Sequence, residues 1–184
     1  MISKRLSESR IVFSLAVALT GSLFMAGCKQ NKPAPAANPQ PVAQAPSVVP
    51  APLEKRHIYS ETADPTVDIA AALKQARLEH KRVILDFGGD WCGDCQVLDI
   101  NFHKSPNAEL IDKNFIIVHI FIGHMDKHVD VAKKYDIPLQ KGVPALAVLD
   151  AHGKVLYSQK TGEFEDMRHM DPQSVTDFLN QWKA

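Results

Sequence analysis

Apolar and polar positions alternate along this chain with changing periods, and the changes divide it into elements. An apolar stretch, Ile11 to Met25, follows a short basic segment. A long interval poor in periodicity separates it from the next patterned stretch. From about His57 the pattern becomes that of a folded domain. His57-Ile58-Tyr59 predicts a short edge strand. Ile69, Ala72, Leu73, Ala76 and Leu78 recur at mostly helical spacing after Asp64-Pro65, an N-cap followed by proline at the first helical position. Arg82 to Phe87 predicts a buried strand, and Gln96 to Phe102 predicts the start of a helix. Ser105-Pro106 repeats the cap-plus-proline signature and predicts a short helix through about Lys113. Phe115 to Ile122 is apolar except for His119 and predicts a central strand buried on both faces. Asp126 to about Tyr135 predicts a helix with a wet Lys/His/Asp side. Ala145–Leu149 and Lys154–Ser158 flank the turn Asp150-Ala151-His152-Gly153 and predict a hairpin. Asp171-Pro172 opens a terminal helix with Val175, Phe178, Leu179 and Trp182 on one face. The order of elements predicts an α/β domain, a mixed sheet covered by helices on both sides.

Composition adds the parts outside that domain. Seven of the twelve prolines lie between Pro33 and Pro52, so residues 28–56 predict an extended tether and residues 57–184 the folded domain. At about 3.1 Å per residue the tether's proline-rich part, residues 29–53, reaches at most roughly 75 Å. Residues 1–27 have the basic start, apolar middle and small-residue end of an export signal. The apolar middle is shorter than the roughly 20 residues that cross a bilayer. Ala26-Gly27-Cys28 resembles a bacterial lipobox, with Met25 where Leu is commoner. That resemblance implies lipidation of Cys28, a firm membrane anchor. Lys29 after the cysteine implies the outer membrane by Gram-negative sorting, with the domain facing the periplasm.

The chain carries 21 basic and 21 acidic side chains among 184 residues, which gives no electrostatic case for a nucleic-acid partner. Its three cysteines, Cys28, Cys92 and Cys95, exclude a framework of structural disulfides. Cys92 and Cys95 stand as Cys-x-x-Cys between a predicted strand and a predicted helix, a pattern suited to dithiol–disulfide exchange. Asp86 lies within the apolar strand before them, where an unpaired charge is costly. Asp90 and Asp94 flank or enter the cysteine pair, and with Gly93 they form the set expected to tune its potential. Negative charge there disfavours a Cys92 thiolate and predicts a reductant, unless both carboxylates are simply solvated. His124 and His128 are four residues apart beside Asp126 and Asp130, but a solvated helix face is the commoner meaning, and no metal site is assigned.

Residues 57–184 resemble the thioredoxin superfamily, the nearest pattern being exported bacterial thioredoxin-like proteins. The resemblance is carried by Asp86-Phe87, Trp91, the Cys92/Cys95 pair and Gly142-Val143-Pro144. It implies a thioredoxin-like α/β fold and an enzyme, a thiol–disulfide oxidoreductase with no cofactor beyond a Cys92–Cys95 disulfide. It implies Cys92 as the attacking thiol, Cys95 as the resolving one and Asp86 as the base that takes the Cys95 proton. It also implies a cis Val143–Pro144 bond that offers a backbone edge to an extended substrate, in a groove expected to include Trp91 and Gly162. His119 stands near the place of a family lysine. It is read either as sharing the proton with Asp86 or as a satisfied core histidine. The implied partners are disulfide-containing exported proteins and an upstream thiol reductant protein. A reductase dedicated to cytochrome or metal-site assembly, and a non-catalytic binding or metal-delivery module, are the alternative readings. Asp94 in place of proline, Ile100 in place of a kinking proline and a long Glu163–Asp171 loop depart from thioredoxin itself.

Overall fold

The structure is a computed structural model and describes residues 55–184. The expected signal, the lipid-bearing Cys28 and all of the tether but its last two residues lie outside the described residues. Ten elements follow one another: α1 (Pro65–Glu79), β1 (Arg82–Gly88), α2 (Gly93–Phe102), α3 (Asn107–Asn114), β2 (Phe115–Phe121), α4 (Val129–Lys134), a 3-10 turn (Leu139–Lys141), β3 (Ala145–Leu149), β4 (Val155–Ser158) and α5 (Gln173–Trp182). The four strands form one mixed sheet in the order β2-β1-β3-β4. β1 runs parallel to β2 and antiparallel to β3, and β3 runs antiparallel to β4.

The period-2 alternation of β1 feeds two cores. Val83, Leu85 and Phe87 pack with Ile69, Ala72 and Ala76 of α1 and with Val131 and Ala132 of α4. Ile84 turns the other way, to Leu98 and Phe102 of α2 and Val175, Phe178 and Leu179 of α5. Helices thus cover both faces of the sheet, as expected. Asp64 caps α1 by accepting from the N–H groups of Thr66 at 2.8 Å and Val67 at 3.4 Å, with Pro65 at the first helical position. Asp171 Oδ1 likewise accepts from Gln173 N–H at 2.9 Å at the start of α5.

Several local expectations are corrected. β2 is an edge strand, because β1 and β3 take the centre. Its apolar run reflects α1 and α3 packing on it, which says nothing about its ladder partners. Ser105 does not cap α3; the Ser105–Pro106 peptide is cis, and the helix begins at Asn107. The α4 helix begins at Val129 rather than Asp126, after turns through Gly123–His128. Residues 57–59 form no strand. Asp90 Oδ1 takes the N–H groups of Ile58 at 2.8 Å and Tyr59 at 2.9 Å, so a side chain replaces the ladder.

That segment is stitched down along its length. Gln96 Oε1 accepts from Arg56 N–H and its amide donates to Arg56 O, both at 2.9 Å. The Arg56 guanidinium pairs with buried Asp99 at 2.5 Å. Arg56, expected at the end of the tether, therefore belongs to the folded domain.

Candidate active site

β1 ends at Gly88, and a tight turn delivers Cys92 to the N-terminus of α2. Cys92 is the N-cap residue: the Cys95 N–H donates to its Sγ at 3.1 Å. The free amides and dipole of a helix start favour an anion at that sulfur. Cys92 and Cys95 are joined as a disulfide, with Cys92 6% exposed and Cys95 fully buried. One sulfur can be reached from outside and the other cannot. The Cys92 sulfur also touches the Val143 carbonyl oxygen at 3.5 Å. The Val143–Pro144 peptide is cis.

The outer sulfur opens into a groove of ≈ 430 Å³. Its lining includes the apolar Trp91 and Met125, the charged Glu165 and Arg168, and Gly142 and Val143. Trp91 is fixed by donation from its indole N–H to Gly123 O at 2.7 Å and by stacking on His124. His124 is thereby engaged with Trp91, while His128 Nδ1 bonds Phe121 O at 2.7 Å. Among the described residues no group of three or more His, Cys, Asp or Glu is placed to hold a metal ion. Gly162 does not line the groove. Its φ of +80° suits glycine, and an added Cβ would lie against the Lys141 carbonyl oxygen, so its place is explained by turn chemistry.

Below the cysteines lies Asp86, 1% exposed. Its Oδ2 accepts from the Tyr59 hydroxyl at 2.7 Å and meets His119 Nδ1 at 2.9 Å, while Oδ1 is buried without a hydrogen-bond partner. Asp86 and His119 are register partners in the parallel β1–β2 pair, so their side chains leave the same face of the sheet. Burial lowers the His119 imidazole, but the hydrogen bond and charge of Asp86 outweigh it, with lesser help from Asp99 and Asp90. The net shift is upward from 6.5.

The two flanking carboxylates are engaged rather than solvated. Asp94 is 7% exposed and is gripped by Arg168: Nε at 3.1 and 3.2 Å, Nη2 at 3.0 Å, and the Arg168 backbone N–H at 2.9 Å. A fork of this kind offsets the Asp94 charge near Cys92. Asp90 pairs with His57 as well as holding the Tyr59 segment. Burial raises the Asp90 carboxyl, and the Tyr59 and Ile58 amides and His57 more than reverse that, so the net shift is downward. Asp90 thereby anchors the chain at residues 57–59.

Sequence reasoning did not single out Tyr59, Arg168, Gln96 or Glu165. Phe164 and Met167, buried anchors inside the long 163–171 loop, were the available sign that this loop folds back onto the domain and brings Arg168 with it.

A thioredoxin-like family model matches residues 64–151. Thioredoxin-3 of Dictyostelium discoideum is 33% identical over 61 residues, 33% of this chain and 56% of that protein. A thioredoxin of Mycoplasma genitalium is 33% identical over 70 residues, 38% of this chain and 60% of that protein. These matches thus span less than two thirds of either relative. The crystal structure of a disulphide isomerase from Xylella fastidiosa Temecula1 superposes with a TM-score of 0.65 at 36% identity, covering 68% of this chain and 96% of that one.

Proposed function

The chain belongs to the thioredoxin-like family, and from that premise we propose that it is a thiol–disulfide oxidoreductase that reduces or isomerises disulfides of exported proteins. One observation carries the reading: a Cys-x-x-Cys disulfide whose outer sulfur caps a helix and faces a groove, while the inner sulfur is sealed. In the reduced state the amides and dipole of the helix start favour a Cys92 thiolate. Cys92 attacks a client disulfide and forms a mixed disulfide. Cys95 then attacks Cys92, with Asp86 taking its proton, and the client leaves as a thiolate. Returning the Cys92–Cys95 disulfide to the dithiol requires an upstream thiol reductant protein.

The sequence of residues 1–28 supports a reading as a lipid anchor at Cys28 and, with it, a domain at the bacterial envelope that faces the periplasm from the outer membrane. Disulfide clients persist in such a compartment. The apolar Trp91 and Met125 in the groove lining and the cis-Pro144 bend suit an extended, partly apolar client segment.

Insulin reduction by dithiothreitol, followed as turbidity, tests the activity. The wild-type chain accelerates precipitation and Cys92→Ser reduces the rate to the uncatalysed level. A wild-type rate equal to that of Cys92→Ser refutes the reading, and metal uptake by the pair in its place would establish a binding module. The Cys92/Cys95 potential sets the direction: a value near about −270 mV makes it a reductant, and one near about −120 mV an oxidant. Labelled palmitate incorporated by the wild type and lost in Cys28→Ala tests the anchor.

A further inference from the structure

Beneath the disulfide Tyr59 borders Gly88 together with Cys95 and bonds Asp86. The residue is wholly buried, and its hydroxyl donates to Asp86 Oδ2 at 2.7 Å. A Cβ built on Gly88 would lie 2.6 Å from Tyr59 Oη and 2.8 Å from Cys95 Sγ. The phenol oxygen and the inner sulfur therefore both border the space over the bare Cα of Gly88. A phenol has one hydrogen to give and lone pairs with which to accept. With its hydrogen on Asp86, the lone pairs remain for a thiol on Cys95.

The geometry points to Tyr59 as the proton relay between Cys95 and Asp86 in the resolving step, an assignment that rests on the oxidoreductase reading above. The Cys95 S–H gives its proton to Tyr59 Oη as the Tyr59 O–H proton moves to the Asp86 carboxylate. The electron pair left on Cys95 forms the bond to Cys92 Sγ. The bond from Cys92 to the client sulfur breaks, and the client carries away the two electrons as a thiolate. Tyr59 ends with the hydrogen count it began with, and Asp86 holds the extra proton until solvent takes it.

The site favours a conduit over a base. Desolvation first, then the charge and hydrogen bond of Asp86, hold the phenol far above its ordinary 10.0, so its hydrogen is always in place. The ionisable groups facing the trio are His119 from β2, Asp99 from α2 with Arg56 and His103 beside it, and Asp90 from the turn after β1 with His57. Tyr59 is also the residue to which the stitched segment leads, since Asp90 holds its backbone N–H at 2.9 Å.

The test uses the reduced full chain carrying Cys28→Ser, mixed with dithiobis(nitrobenzoate). Cys92 captures one thionitrobenzoate, and attack by Cys95 releases it, so capture and resolution separate in time. Tyr59→Phe leaves capture unchanged and slows resolution about tenfold to a hundredfold at pH 7. The deficit closes as rising pH ionises Cys95 without help. No deficit, or one equal at every pH, overturns the relay. Asp86→Asn in parallel separates the two readings. If it resolves at the wild-type rate, the base assignment has failed and the relay with it. If it is slow while Tyr59→Phe is not, the relay alone has failed. Should Tyr59→Phe lose its near-ultraviolet dichroism, resolution by the unsubstituted tyrosine in H₂O/D₂O mixtures decides. Two hydrogens in motion give a curved dependence on deuterium fraction, and a straight line overturns the relay.

Discussion

At Asp86 two groups meet on one buried oxygen, and one of them, the His119 imidazole, is held above its ordinary 6.5 by that carboxylate. The folded value of His119 is raised above 6.5, so its protonated form favours the folded state. The stability it adds is complete below pH 6.5 and is lost as pH climbs through the raised folded value. Urea midpoints of the wild type and His119→Gln are therefore expected to differ most on the acid side and to converge in the alkaline range. Arg168 supports a second prediction. Arg168→Gln exposes the Asp94 charge to Cys92, disfavours the thiolate and makes the disulfide harder to reduce, by roughly two- to fivefold in its equilibrium with glutathione. Asp94→Asn combined with Arg168→Gln restores the wild-type equilibrium. These two partners show where sequence reading stops. Cys92, Cys95, Asp86, Trp91 and Pro144 are legible because each sits in a local motif. Tyr59 and Arg168 reach their carboxylates from 27 and 74 residues away, and no local period encodes such a meeting.

Among the elements, α1 is specified by its own termini. Asp64→Ala is expected to cost about 1 kcal/mol in urea unfolding, with thiol reactivity unchanged, because the cap lies away from the cysteines. β1 behaves differently, since Gly88 is where sheet, tyrosine and sulfur converge. Gly88→Ala is expected to cost about 1–3 kcal/mol by overpacking and also to slow release of thionitrobenzoate by Cys95. Helices were the more legible elements because Asp-Pro signatures and 3.6-residue spacing are written in adjacent residues. Strand position was not. The apolar run of Phe115–Phe121 records the helices above and below it, whereas its edge place depends on which strand β1 accepts as a second neighbour. The segment around Tyr59 was misread as a strand for a related reason: its amides are satisfied by the Asp90 side chain, which a pattern of apolar residues does not reveal.

For the molecule as a whole, the α/β layering followed from the order of elements. The junction between tether and domain was less visible. Arg56, Ile58 and Tyr59 are held by Gln96, Asp99 and Asp90, all polar residues that sequence alone places on the surface. Chains begun at residue 55 and at residue 60 should both form the four-stranded sheet. The shorter one is expected to lose about 3–5 kcal/mol in urea unfolding, the cost of removing a large buried aromatic side chain. The match to the family model begins at residue 64, after the tyrosine. The stretch matched by the family model and the stretch that closes over Asp86 therefore have different first residues. A domain trimmed to its first helix keeps the sheet and both sulfurs, yet leaves the carboxylate beneath them without its phenol. The last few residues of what looks like leash are held against the domain by Gln96, Asp99 and Asp90 and bring a phenol to Asp86, and the choice of where to cut decides whether the isolated domain keeps that contact.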